Sequence, residues 1–182
     1  MAPGDFNVVN LSGSVALRQG NYTDAVGWLA RAVKLQPRSA PCALRHGFAL
    51  AKLARYEEAE TALRAALALA PKDEEAWDSL GFVLKARGQL AEAVRAHRSA
   101  VELNPQRANS WYNLGHALLF TGRTAEALEC QERALAADPA FSRAHFGRAL
   151  ALQQCHRIPE ALAEFGEALR PNRAITRRGA IG

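Results

Sequence analysis

Apolar residues recur along this chain in pairs of helical stripes. The clearest first stripe has apolar or small residues at i, i+3, i+4 and i+7, which lie on one face of a helix: Trp77, Leu80, Gly81 and Leu84. A second stripe follows the helix-breaking pair of Gly88 and Gln89 and consists of Leu90, Ala93, Val94, His97, Ala100 and Val101. The pattern therefore predicts two helices joined by a tight turn.

This hairpin pattern repeats every 34 residues. The positions in register are Pro37, Pro71, Pro105 and Pro139; Gly13, Gly47, Gly81 and Gly115; Ala25, Ala59, Ala93 and Ala127; and Ala32, Ala66, Ala100 and Ala134. A fixed period of this length is typical of a helical repeat array. The predicted organisation is an N-terminal lead at 1–5, repeats at 6–39, 40–73, 74–107, 108–141 and 142–171, and a C-terminal tail at 172–182.

Small residues have a mechanical role in each hairpin. Glycine in the first helix and alanine in the second let the two backbones approach closely, and the proline ends the second helix. Replacing Gly81 or Ala93 with Leu should therefore overpack the crossing, at a cost of about 1–3 kcal/mol.

Two of the units resemble the tetratricopeptide repeat family. Its pattern of Trp, Leu, Gly and a bulky residue, followed by Ala and Pro, is matched by Trp77, Leu80, Gly81 and Leu84 and by Trp111, Leu114, Gly115 and Leu118. The resemblance implies an all-α, right-handed superhelical solenoid of about five helix-turn-helix hairpins. It also implies a function in protein binding, because in this family the first helices line a concave groove that receives a peptide or helix.

Mapping the groove of the family onto this sequence gives a stripe that is rich in aromatic residues with basic residues at its margins. We expect a partner segment with apolar anchors and some acidic character to bind there. The candidate groove residues are Arg45, Phe48, Lys52, Asp78, Phe82, Lys85, Asn109, Tyr112, Asn113, His116, Arg143 and Phe146.

Charge and composition narrow the choice of partner. The formal net charge is +5, but four arginines lie in the last thirteen residues, so the repeats are close to neutral. That distribution, and the absence of aromatic residues among those arginines, disfavours nucleic acid as the ligand. No apolar stretch has the length of a membrane span and no secretory signal is visible, so we expect a cytoplasmic protein.

Candidate catalytic chemistry is sparse. Cys42, Cys130 and Cys155 lack the spacing of a zinc site, and no two of the five histidines share an i, i+4 face. No nucleophile elbow or phosphate-binding glycine loop is present, and His97 occupies a packing position. The sequence predicts a noncatalytic chain without a metal or other cofactor.

Two alternative functions stay open. Asn113 resembles an asparagine that contacts peptide backbone in the repeat arrays of O-linked N-acetylglucosamine transferases, so the chain could be the substrate-recruiting segment of a larger enzyme such as a glycosyltransferase. The chain could also be a self-assembling scaffold that associates through the last helix, where no hairpin follows to cover Leu162, Phe165 and Leu169. The Lys and Asn clamp with which chaperone-binding relatives hold a terminal carboxylate has no match in any register.

Overall fold

The computed structural model describes residues 5–170, which form ten α-helices and no β-strand. The helices are α1 (Phe6–Arg18), α2 (Tyr22–Leu35), α3 (Ala40–Lys52), α4 (Tyr56–Leu69), α5 (Glu74–Ala86), α6 (Leu90–Leu103), α7 (Ala108–Phe120), α8 (Thr124–Ala137), α9 (Ser142–Gln154) and α10 (Ile158–Leu169). They pair into five hairpins, which confirms the predicted all-α fold of helix-turn-helix repeats. Residues 1–4 of the lead, Pro171 and the basic tail at 172–182 lie outside the described residues.

The turn inside each hairpin uses one residue with left-handed backbone. Gly20, Gly88 and Gly122 have φ values of 74°, 78° and 73°, while Ala54 and His156 have φ values of 57° and 58° at the same repeat position. Glycine adopts this conformation without a steric cost, whereas a residue with a Cβ is strained there. Three repeats thus have the glycine that the turn requires and two do not.

The tryptophans of α5 and α7 each bond the carbonyl of the repeat proline six residues before them. Trp77 Nε1 donates to the Pro71 carbonyl at 2.9 Å, and Trp111 Nε1 donates to the Pro105 carbonyl at 2.8 Å. In the last repeat, His145 Nε2 lies 3.2 Å from the Pro139 carbonyl and replaces the indole. The contact with the proline carbonyl is therefore kept although the residue type changes.

The described chain falls into two compact units, one ending at Leu103 and the other beginning at Asn104. The first unit contains α1 to α6, and its core includes the fully buried side chains of Leu29, Leu63 and Leu80. The second contains α7 to α10 and buries Leu118 and Leu152. Within residues 5–170, each helix is too short or too polar to cross a membrane.

The glycines of the first helices are sites of very close packing. A Cβ on Gly47 would lie 2.7 Å from Leu63 Cγ, and a Cβ on Gly81 would lie 2.6 Å from His97 Cε1. Real Cβ atoms do not approach other atoms so closely, so even alanine would force a neighbour to move. The buried imidazole of His97, only 1% exposed, takes the packing position predicted for it.

Candidate peptide-binding surfaces

The first unit presents two phenylalanine–lysine pairs on neighbouring first helices. Phe48 of α3 and Phe82 of α5 occupy the same repeat position and are 36% and 45% exposed. Lys52 Nζ lies 5.1 Å from the centroid of the Phe48 ring, and Lys85 Nζ lies 6.0 Å from that of Phe82. Since α3 and α5 contact each other, the two pairs lie side by side. We call Arg45, Phe48, Lys52, Phe82 and Lys85 the α3/α5 surface.

One cation on the α3/α5 surface is held partly out of water. Burial lowers the pKa of Lys85 from its ordinary value, because a low-dielectric environment disfavours the charged ammonium. Arg45 Nε donates to the Pro41 carbonyl at 3.1 Å. A carboxylate that reaches a poorly hydrated cation loses less to competing water, so this surface favours an acidic ligand.

Asp78 does not belong to this surface. Its carboxylate is turned into the hairpin, where Oδ1 lies 2.9 Å from Nδ1 of His97, and the residue is only 6% exposed. Counting Asp78 among the groove residues was therefore wrong as to where its side chain lies. The physical reason is that the imidazole of His97 stands where the first two repeats have Leu29 and Leu63, and a buried imidazole needs a hydrogen-bonding partner.

The second unit has an aromatic row along α7 instead of separate pairs. The Tyr112 and His116 ring centroids lie 5.7 Å apart, and His116 meets Phe120 edge to face at 5.0 Å. Phe141, just before α9, meets Tyr112 at 5.9 Å, also edge to face. Burial raises the pKa of the Tyr112 hydroxyl, which therefore stays protonated at neutral pH.

One arginine from the next repeat crosses this row. The Arg143 guanidinium carbon lies 5.4 Å from the Tyr112 ring centroid and 4.9 Å from that of Phe141. Its Nη2 donates to Asn109 Oδ1 at 2.8 Å, which fixes the plane of the guanidinium. Asn113 lies half-buried on the same helix as Asn109. The α7/α9 surface consists of Asn109, Tyr112, Asn113, His116, Arg143 and Phe146.

Two open pockets lie at the edges of the α7/α9 surface. One, of about 170 Å³, lies between α7 and α9 and is lined by His116, Leu119, Phe120, Leu150, Gln153 and Gln154. The other, of about 460 Å³, lies between α9 and α10 and is lined by Ser142, Arg143, Phe146, Phe165, Ala168 and Leu169. The second pocket joins two residues predicted for the groove, Arg143 and Phe146, to two predicted for self-association.

Sequence reasoning missed Phe120 and Phe141 as members of the aromatic row. Phe120 is 59% exposed at the last position of α7, four residues after His116, and that spacing could have indicated the contact. Phe141 lies outside the helical stripe, and no helical periodicity would have found it. The Asn109–Arg143 hydrogen bond joins the same position of consecutive repeats, so the period itself contained the signal.

One histidine in each unit is hydrogen-bonded to an acidic side chain. His97 bonds Asp78, and His145 lies 2.8 Å from Glu164 Oε2 through its Nδ1. Arg148 also reaches Glu164, at 3.0 Å. In the part of the chain that the structure describes, no three His, Cys, Asp or Glu side chains are grouped so as to hold a metal ion.

Comparison with known proteins is consistent with this architecture. Family models for the tetratricopeptide repeat match residues 73–140 and 112–174, and a model described as anaphase-promoting complex, cyclosome, subunit 3 matches residues 1–66. The chain belongs to the tetratricopeptide repeat family. No curated protein sequence matches this repeat chain significantly.

Solved structures of MamA share the fold of this tetratricopeptide repeat chain. A MamA structure from Desulfovibrio magneticus RS-1 has a TM-score of 0.81 at 21% identity, covering 100% of this chain and 99% of that one. A MamA AMB-1 structure has a TM-score of 0.71 at 28% identity, covering 88% and 94% of the two chains. Family and fold together support a protein-interaction scaffold.

Proposed function

We propose that this chain is a noncatalytic adaptor that binds a peptide or helix of a partner protein on the exposed faces of its first helices. The observation that carries the proposal is the doubled arrangement of the α3/α5 surface. Two half-exposed phenylalanines at the same repeat position each have a lysine ammonium within 6.0 Å of the ring. An isolated exposed phenylalanine needs no explanation, whereas a ring with a neighbouring ammonium on each of two contacting first helices favours a ligand site.

The chemistry of this surface defines the ligand. Each ring offers an apolar contact, and each neighbouring ammonium attracts a carboxylate, so the favoured ligand alternates apolar and acidic residues. Packed helices lie about 8–10 Å apart, which an extended peptide spans with about three residues. The best ligand of the α3/α5 surface is thus a segment whose two apolar anchors are three positions apart and flanked by Asp or Glu.

The noncatalytic part of the proposal rests on how the reactive side chains are used. His97 and Asp78 are buried together inside a hairpin, 1% and 6% exposed, where no substrate reaches them. Cys42 is fully buried, and its Sγ lies 3.3 Å from Asn10 Oδ1. These groups serve packing and hydrogen bonding, as is general in repeat scaffolds. The cytoplasmic location inferred from sequence stays a prediction.

The test uses a labelled, capped peptide of alternating Glu and apolar residues, with Leu and Phe three positions apart. We expect it to bind the wild-type chain and to bind the Phe48→Ala, Phe82→Ala variant about tenfold more weakly, because hot-spot aromatic residues contribute at least that much. The matched control is Leu69→Ala, which removes a 42% exposed side chain from α4 and should leave affinity unchanged.

Charge reversal sharpens the same test. Lys52→Glu with Lys85→Glu should reject the acidic peptide and accept a version in which Lys replaces Glu, because the charge partner has changed sign. Equal binding of the acidic peptide by wild type and by both double variants would show that the α3/α5 surface is not the site. Failure of the wild-type chain to bind the acidic peptide would refute the stated ligand chemistry.

A further inference from the structure

The last hairpin of the second unit contains a pocket with a charge at its rim. We propose that this α9/α10 pocket binds one large apolar side chain together with an adjacent carboxylate, both supplied by an acidic peptide segment of a partner protein. The inference rests on the proposed function in that its ligand is a peptide. It assigns a second site, in a different unit from the α3/α5 surface and with its own anchor residues.

The walls of the pocket are almost entirely apolar. Phe146 of α9 and Phe165 of α10 form its floor, with ring centroids 5.6 Å apart, and Leu169 forms one side with 83% of its surface exposed. The volume of about 460 Å³ is ample for a leucine or phenylalanine side chain. An apolar side chain placed there would remove three exposed apolar surfaces from water at once.

Comparison with an earlier hairpin explains why the pocket is open. Leu63, Ala66 and Leu67 of α4 occupy the same repeat positions as Phe165, Ala168 and Leu169 of α10. Under α5, the three α4 residues are 0%, 1% and 7% exposed. Within residues 5–170 no helix covers these positions of α10, so Leu169 is exposed and Phe165 lines the pocket.

Arg143 at the rim of the pocket is oriented so that it can bind a carboxylate. Arg143 is held in place by the Tyr112 and Phe141 rings and by Asn109, which engages only Nη2. Among residues 5–170, no Asp or Glu forms an ion pair with Arg143. On α10, Glu164 pairs with His145 and Arg148, and Glu167 pairs with Arg170.

The combination of an oriented guanidinium and an apolar floor selects the ligand. An arginine whose plane is fixed and whose Nε and Nη1 face no described acceptor can donate two parallel hydrogen bonds to a carboxylate. An apolar group directly beside that carboxylate would enter the pocket. A basic segment would be repelled by Arg143, and residues 171–182 contain no Asp or Glu. An acidic peptide segment therefore suits the pocket better than those residues do.

The experiment pairs changes in the peptide with changes in the pocket. The probes are two capped peptides that differ only in Glu-Leu against Gln-Leu, and binding is measured by ¹⁵N–¹H NMR on the full chain. We expect shifts in α9 and α10, an affinity about tenfold higher for the Glu peptide, and loss of that preference in Arg143→Gln. Arg133→Gln is the control, because Arg133 also lies over an aromatic ring, Trp111, but outside the pocket.

Leu169→Ser tests the apolar part, with Leu162→Ser as a matched control on the same helix. Leu162 is 65% exposed but does not line the pocket, so only Leu169→Ser should weaken both peptides. Shifts confined to the α3/α5 surface would overturn this inference and leave the proposed function standing. It would also be overturned by peptide binding that requires removal of residues 171–182. A dimer, seen by sedimentation, that Leu169→Ser dissociates while neither peptide binds would assign the face to a second copy.

Discussion

The second and the last hairpins differ in how exposed their side chains are at matching repeat positions. In the hairpin of α3 and α4, Leu63 and Leu67 are 0% and 7% exposed, because α5 covers them. In the hairpin of α9 and α10, Leu169 is 83% exposed, and Phe165 lines an open pocket. A repeat position therefore does not by itself fix whether a side chain is buried or exposed. The helix that follows decides it.

The two hairpins also differ inside. Gly47, which Leu63 packs against, is replaced by Ala149 at the same position of α9, and Leu63 itself is replaced by Phe165. His46 is replaced by Arg148, which pairs with Glu164. The last hairpin thus has an arginine where the second has a histidine, and a phenylalanine where the second has a leucine. Single substitutions at matched positions can measure what each difference contributes.

The largest difference is expected from truncating the matched pair Leu63 and Phe165. Leu63→Ala leaves a cavity in a closed core and should lower the free energy of unfolding by about 2–5 kcal/mol. Phe165→Ala removes more atoms, but they line an open pocket, so the loss should stay below about 2 kcal/mol. Urea unfolding followed by circular dichroism measures both. Equal losses would mean that α10 is as well covered as α4.

The next largest effect on stability is expected at Gly47, the glycine at the crossing of α3 and α4. Gly47→Leu should destabilise the chain by about 1–3 kcal/mol, because its Cβ alone would lie 2.7 Å from Leu63 Cγ. The matched control is Gly27→Leu in α2, where nothing lies within 4 Å of the added Cβ and stability should rise through better helix propensity. The same urea titration reports both variants, and a stable Gly47→Leu protein would contradict the close crossing.

Much of the fold could be predicted from the sequence because the 34-residue period determines it. The prolines, the hairpin glycines and the alanines each indicate local geometry and recur in register in four units, and with the last unit they specify ten helices. The tryptophans at Trp77 and Trp111 were correctly placed on first helices, and the structure adds the reason, a hydrogen bond to the proline carbonyl. Local patterns were sufficient for the fold because each contact in a solenoid is close in sequence.

The candidate surfaces were less predictable because they depend on the direction of individual side chains. Asp78 has the periodicity of a groove residue, yet its carboxylate turns inward to His97, since burying an imidazole without a hydrogen-bonding partner is costly. The pocket between Phe146 and Phe165 joins residues that sequence reasoning had assigned to two different surfaces. Periodicity assigns a residue to a helix face, whereas a pocket depends on where two faces meet.

The turn residues provide a smaller comparison. Ala54 and His156 both have left-handed backbone, at φ of 57° and 58°, so glycine should relieve strain in both hairpins. We expect Ala54→Gly to raise the free energy of unfolding by about 0.5–1 kcal/mol, and His156→Gly to raise it less, because histidine tolerates this region better than alanine does. Ala65→Gly, within α4, is the control and should lower it by about 1 kcal/mol. Thermal unfolding that ranks the variants otherwise would contradict the turn assignment.

The smallest effect is expected from pH, through His46 of the second hairpin. Burial, and then the positive charge of Arg55, lower the pKa of His46 below its ordinary value of 6.5. The unfolded chain therefore binds this proton more readily than the folded chain, so stability falls as pH drops through and below about 6.5. His46→Gln should flatten the dependence of the urea midpoint on pH between about 7 and 5. An unchanged slope in His46→Gln would show that protonation of His46 does not lower the stability of the second hairpin.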